Sequence, residues 1–320
     1  MVDAVPVTLL TGFLGAGKTT LLNHLLRDPA TAHTAVLINE FGPIGLDHLL
    51  VERLDDATLL LENGCICCTV REDLLKALHG LLPRIHSGAI ERIIIETTGI
   101  ADPVPILETL IADPVLIRHV RLDGVITLVD AVYGSSSLAQ HPEARRQIAF
   151  ADRILLSKTD LIDTPALRAE LAAINQAAPI IAVIDGAVAC AEILDLGTAP
   201  PLLPTPGHHP HSHQQIQSFC LSFDQPLRPD GFGNWIQMLI ATQGERLLRI
   251  KGILDLAGQE RPVTLHAVRH LLHPPALLAA WPEGPRQSRI VFVTDGLSRE
   301  LIEGGLRSFE KAAAEAASLA

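Results

Sequence analysis

Residues 12–20, Gly12-Phe13-Leu14-Gly15-Ala16-Gly17-Lys18-Thr19-Thr20, constrain this chain more than any other stretch. They satisfy every fixed position of G-x-x-x-x-G-K-[ST], a pattern whose glycines let main-chain N–H groups approach an anion. The flanks agree with it. Val5 to Leu10 is a short apolar run, as a buried parallel strand requires, and Thr19 to Leu26 reads as a helix with Leu21, Leu22, Leu25 and Leu26 on one side. Strand, glycine-rich loop and helix in this order aim a helix N-terminus at phosphate oxygens. Gly12, Gly15, Ala16, Gly17, Lys18, Thr19 and Thr20 are therefore expected to cradle nucleotide phosphates. Lys18 would reach the β- and γ-phosphates, and the Thr19 hydroxyl would ligate Mg²⁺.

Further signals follow in order along the chain. Thr34 to Ile38 reads as a second strand running into Asn39-Glu40-Phe41-Gly42, where switch I of a P-loop GTPase would lie. Glu40 is a candidate ligand for Mg²⁺ or a second metal, and the pattern fits a solvated loop carboxylate equally well. Ala57 to Leu61 is a third strand, leading to Cys65-Ile66-Cys67-Cys68. A helix over Thr69 to Leu82 follows, expected to end at Pro83. Ile90 to Ile95 is another strand, and Glu96-Thr97-Thr98-Gly99 after it has the shape of a switch II start. Glu96 would hold the Mg²⁺ shell and the Gly99 N–H would meet the γ-phosphate, which makes Lys18, Thr19 and Glu96 the expected catalytic set. Asp123 to Val129 reads as a strand ending at Asp130, and Glu143 to Phe150 as a helix. Ala151 to Leu156 is a strand ending in Ser157-Lys158-Thr159-Asp160. This turn is similar to the guanine-reading N-K-x-D motif. The Asp160 carboxylate would accept from guanine N1–H and N2–H₂, donors that adenine lacks there. Lys158 would lie along the base. Ser157 in place of Asn is expected to cost the loop some bracing.

Three of the five cysteines sit in that C-x-C-C cluster, at a strand-to-helix loop where a helix N-terminus favours the thiolate a metal needs. Cys190 and Cys220 stand alone in apolar surroundings and are expected in the core. A net charge of −11 disfavours nucleic acid as a partner. No apolar run reaches the ~18 residues of a membrane span, and Met1 to Pro6 carries no basic region, so no membrane association and a cytoplasmic location are expected.

The chain, 320 residues long, divides by composition into residues 1–198, a Pro/His-rich linker over 199–214, and residues 215–320. His208, His209, His211 and His213 in the linker are candidates for weak metal binding, set against a solvated linker. Past Gln215 the pattern changes to alternating strands and two helices, a small α+β domain with an antiparallel sheet. Arg249 and Lys251 alternate along one of its strands and are expected on a surface face.

With G-F-L-G-A-G-K-T-T, N-E-F-G, G-C-I-C-C, E-T-T-G and S-K-T-D in this order, the chain resembles a CobW-type GTPase, a group that also holds the nickel-insertion GTPases of urease and hydrogenase maturation. The resemblance covers essentially the whole chain, including Leu248-Arg249-Ile250-Lys251-Gly252 in the C-terminal part. It implies an α/β P-loop domain with a mainly parallel sheet, followed by a small α+β CobW C-terminal domain. It also implies slow GTP hydrolysis coupled to delivery of Zn²⁺, or next Co²⁺, to a client protein. The implied metal ligands are Cys65, Cys67 and Cys68. Ile38 stands where some relatives carry an acidic ligand just before N-E. Three other readings remain: a metal buffer or sensor with structural GTP, a cobalt-delivery protein of cobalamin biosynthesis, and a small-molecule kinase, against which S-K-T-D argues. A homodimer stays open.

Overall fold

The computed structural model describes residues 4–39, 58–61, 69–196, 216–282 and 284–319. The chain separates into two compact units, Met1–Leu171 with Ala178–Gly197, and Ala172–Ala177 with Thr198–Ala320.

The first unit is built on strands β1 (Val5–Gly12), β2 (Thr34–Asn39), β3 (Thr58–Leu61), β4 (Arg92–Glu96), β5 (Val120–Asp130), β6 (Arg153–Ser157) and β7 (Ile180–Val183). Helices α1 (Lys18–Leu26), α2 (Thr69–His86), α3 (Val104–Ala112), α4 (Gly134–Gln140), α5 (Pro142–Ala149), α6 (Pro165–Ile174) and α7 (Cys190–Ile193) alternate with them. The strands form one sheet in the order β3-β2-β4-β1-β5-β6-β7, every described pair parallel. Continuous aliphatic runs suit it, because helices cover both faces: Val7, Leu9, Ile93, Ile95 and Val125 are fully buried. Parallel pairing puts every strand's carboxyl end on one edge, and β1 lies at the centre, where the strand order reverses. Register aligns the edge further, with Leu10 beside Glu96, Gly12 beside Leu128 and Asp130 beside Ser157.

Several expectations need correction. Helix α2 does not end at Pro83 but carries it inside and runs to His86. The Pro83 carbonyl still accepts from Ser87 N, and burial of Ile85 holds the final turn against the lost N–H. Helix α4 was not anticipated, since Gly134-Ser135-Ser136-Ser137 is a poor helix former; burial of Leu138 and Gly134 stabilises it. Strand β5 starts at Val120, three residues before the expected Asp123. Cys190 and Cys220 are buried as expected, and burial pushes each thiol up to about 11.

The second unit comprises β8 (Ile216–Phe223), α8 (Pro229–Gln243), β9 (Leu247–Leu254), β10 (Val263–Val268), β11 (Leu271–Leu272), β12 (Ala276–Leu277), β13 (Ser288–Asp295) and α9 (Arg299–Leu319). Its sheet runs β11-β10-β9-β13-β8, with β12 also on β10, and its described pairs are antiparallel. Trp235 and Ile236 of α8 and Ile302 and Leu306 of α9 pack with Ile250, Leu265 and Phe292 of the sheet. Arg249 is not on a surface face: it is 5% exposed. Strand β9 lies between β10 and β13, Arg249 is in register with buried Val293, and its long stem is covered there.

Candidate functional site

The glycine-rich loop leaves the centre of the sheet at Gly12, whose φ is 143°. A Cβ at that position would run into the Leu128 carbonyl of β5, so only glycine lets the loop turn here. Helix α1 then starts without a side-chain cap on Gly17 and without an acid in its first turn. A helix N-terminus in this position suits an anion. Lys18 is 9% exposed, and its Nζ donates to Gly12 O at 2.8 Å and to Phe13 O at 3.4 Å. These carbonyls hold the buried ammonium at the loop, where its charge suits phosphate oxygens.

One strand over, Glu96 ends β4 and is 3% exposed. The Thr19 hydroxyl donates to Glu96 Oε1 at 3.3 Å, which brings together two residues 77 positions apart. Thr97 fastens the same corner, donating to the Thr11 hydroxyl at 2.8 Å. Gly99 presses onto the loop, so that a Cβ on it would stand 2.6 Å from the Leu14 nitrogen. Behind this segment, Gln147 of α5 donates to the carbonyls of Gly99 and Ala101, and Arg146 pairs with Asp102 at 2.7 Å.

On the other side of the loop lies S-K-T-D. The Ser157 hydroxyl donates to Ala16 O at 2.8 Å and to Val129 O at 3.3 Å, so the serine supplies a brace of its own to the loop carbonyl. Lys158 has a φ of 58°, and its Nζ contacts Gly15 O at 3.2 Å and Asp130 Oδ2 at 2.6 Å. The other Asp130 oxygen accepts from Val132 N at 2.8 Å and Tyr133 N at 3.3 Å, locking the turn after β5. Lys158 is thereby laid across the loop, and Asp160 two residues on is exposed. Phe13 stacks on His141, ring centroids 4.5 Å apart.

Gly12, Gly15, Ala16, Gly17, Lys18, Thr19, Thr20, Glu96, Gly99, Ser157, Lys158 and Asp160 all fall at this one edge. Glu40, Cys65, Cys67, Cys68, His208, His209, His211 and His213 lie outside the described residues. Strand β3 ends at Leu61, beside Asn39 of β2, at that same edge, and α2 begins at Thr69. Among the described residues no group of three or more His, Cys, Asp or Glu side chains stands together as a metal cluster. Sequence reasoning named Asp130 only as a strand end and missed Gln147, Arg146 and His141. Asp130 carried one signal, an acid closing an aliphatic run; Gln147 carried none, because a buried glutamine inside a helix matches no spacing rule.

What converges here defines a domain of the P-loop NTPase class. Residues 6–183 match the CobW/HypB/UreG nucleotide-binding domain, and residues 216–310 match the cobalamin synthesis protein CobW C-terminal domain. The chain belongs to the CobW/HypB/UreG family of P-loop GTPases. It is 35% identical over 327 residues to the zinc chaperone YjiA of Escherichia coli, covering 97% of this chain and 100% of the relative. It is 42% identical over 205 residues to the zinc-regulated GTPase metalloprotein activator 1 of Schizosaccharomyces pombe, covering 61% of this chain and 49% of the relative. The crystal structure of Zn(II)-bound YjiA GTPase from E. coli superposes with a TM-score of 0.72 at 32% identity, covering 96% and 99% of the two chains. No helix among the described residues is long and apolar enough to cross a membrane.

Proposed function

We propose that this chain is a slow GTPase that carries zinc, with cobalt second, and delivers it to a metal-dependent client protein. The observation that carries this reading is the convergence of Lys18, the Thr19–Glu96 pair and the braced S-K-T-D turn on one sheet edge. Similarity to zinc chaperones along nearly the whole chain supports it. Residues 1–198 form the GTPase domain, 199–214 the linker and 215–320 the C-terminal domain in this proposal.

In the proposed mechanism the loop N–H groups and the α1 N-terminus hold the phosphates, and Lys18 exchanges its carbonyl partners for β- and γ-phosphate oxygens. Thr19 and Glu96 offer the hard oxygen donors that suit Mg²⁺. When bound, Mg²⁺ held by these two residues would supply the positive charge that offsets negative charge developing on the phosphates. Gly99 N–H faces the γ-phosphate. Asp160 selects guanine and Lys158 lies along the base. Cys65, Cys67 and Cys68 bind the cargo as soft thiolates, with Glu40 as a switch ligand and His208, His209, His211 and His213 as an accessory site. A ligand held by a switch couples zinc affinity to the γ-phosphate, and linkage makes the coupling reciprocal, about 1–3 kcal/mol for an ordinary switch.

The test is a titration of Zn²⁺ and Co²⁺ against the GTP-analogue and GDP forms, with steady-state turnover measured alongside. Tighter zinc binding with the GTP analogue is expected. Equal affinities in both forms would remove the delivery mechanism and leave a metal buffer.

A further inference from the structure

The E-x-x-G segment is held from behind by a residue that belongs to none of the motifs. Gln147, near the end of α5, is 1% exposed. Its amide nitrogen donates to Gly99 O at 3.1 Å and to Ala101 O at 3.0 Å. The Gln147 main-chain carbonyl accepts the Thr127 hydroxyl of β5 at 2.9 Å, so the helix that holds the segment is itself tied to the sheet. The preceding residue, Arg146, takes Asp102 at 2.7 Å. In front, a Cβ on Gly99 would stand 2.6 Å from Leu14 N and 2.8 Å from Leu14 Cα, so the segment cannot advance on the phosphate loop. Residues 99–102 are gripped between the loop and α5.

The chemistry of the grip is particular to an amide. An NH₂ group carries two protons and serves two carbonyls at once. A glutamate of the same shape would set a carboxylate against two carbonyl oxygens, and a leucine would offer them no proton. We propose that Gln147 is a positioning residue for GTP hydrolysis, fixing where the Gly99 N–H stands relative to the γ-phosphate. This rests on the reading of Gly99 as the γ-phosphate contact. GDP has no γ-phosphate, so its binding is independent of the grip.

The experiment compares the parent protein with Gln147→Leu and Gln147→Glu, measuring kcat and KM for GTP, and Kd for GDP. Gln147→Leu is expected to lower kcat about tenfold to a hundredfold, as misplacement of a reacting geometry does. Its GDP Kd should stay within about twofold of the parent, the signature of an interaction used only in the reaction. In Gln147→Glu the buried carboxyl faces carbonyl oxygens, which raises its pKa, and its protonated form regains one donor. Its kcat relative to the parent should therefore rise as pH falls, a response that simple loss of packing does not produce. Should Gln147→Leu fail to fold, this pH response alone decides. Parental kcat in Gln147→Leu, or an equal loss of kcat and GDP affinity with no pH response in Gln147→Glu, overturns the proposal. A parent that binds GTP without hydrolysing it sinks the GTPase reading and this inference with it, whereas a turning-over parent matched by Gln147→Leu sinks the inference alone.

Discussion

Polar side chains serve different ends at Asp255 of the second unit and at the strand ends of the first. In the second, Asp255 is 3% exposed and is closed off inside its own unit: Arg286 donates to both carboxylate oxygens at 2.8 and 3.1 Å, and Ser288 Oγ accepts from the Asp255 N–H at 2.8 Å. In the first, Lys18, Lys158, Ser157 and Gln147 all donate to main-chain carbonyls of loops at the strand ends. Side chain to side chain, a network finishes a scaffold. Side chain to loop carbonyl, such bonds set a loop's position and can be exchanged when an anion enters. The parallel sheet makes this difference, since it delivers the carboxyl ends of its seven strands to one edge, whereas antiparallel pairing scatters them to both.

The strongest break of this comparison is Lys18→Ala. Removing the buried ammonium should lower kcat for GTP by about a thousandfold or more, since it withdraws a charge aimed at the transferring phosphoryl group. Thermal unfolding checks that the variant is folded; a folded variant with parental turnover would end the exchange argument. In the second unit, Trp235→Ala should act on stability instead. Trp235 is 1% exposed and packs against Phe232 and Phe292, so truncation should cost about 3–5 kcal/mol in denaturant unfolding. GTP affinity of the folded variant should be unchanged, and a large change would show that the two units do not divide their labour as described.

Asp160→Asn sharpens the picture within the first unit. The carboxylate is exposed, so unfolding should be parental while GTP affinity falls about a hundredfold and preference over ATP relaxes. Competition binding with both nucleotides measures it; ATP bound as tightly as GTP by the parent protein would refute guanine selection. The smallest effect is expected from Ser157→Ala. Losing the 2.8 Å bond to Ala16 O should weaken GTP about threefold to tenfold, the worth of one neutral hydrogen bond. No change in nucleotide affinity would mean that the loop holds its shape without this brace.

Much of this was legible in the chain itself. Gly12 to Thr20 announced the phosphate loop because a cradle for an anion needs glycine at set positions, and those needs are local. Aliphatic runs announced the strands because a parallel sheet buries both faces. The last acid of β4 and the S-K-T-D turn could be placed because strand ends carry the loops of such a sheet. Local rules failed where packing outweighed them. Pro83 breaks an isolated helix, yet α2 continues through it because Ile85 is buried beyond it. Arg249 has the alternation of a surface residue, yet it sits on a central strand.

The sequence by itself determined the class of the domain, the phosphate loop, the acid at the end of β4 and the change to an antiparallel unit after residue 215, because each depends on neighbours within a few residues. Only the tertiary structure decided that Thr19 meets Glu96, that Ser157 braces Ala16, that Asp130 fixes Lys158 and that Gln147 grips residues 99–102. Those partners stand 28 to 141 positions apart along the chain, and hydrogen bonds are selective over ångströms. No spacing in a one-dimensional pattern records a distance that the sheet's register alone creates.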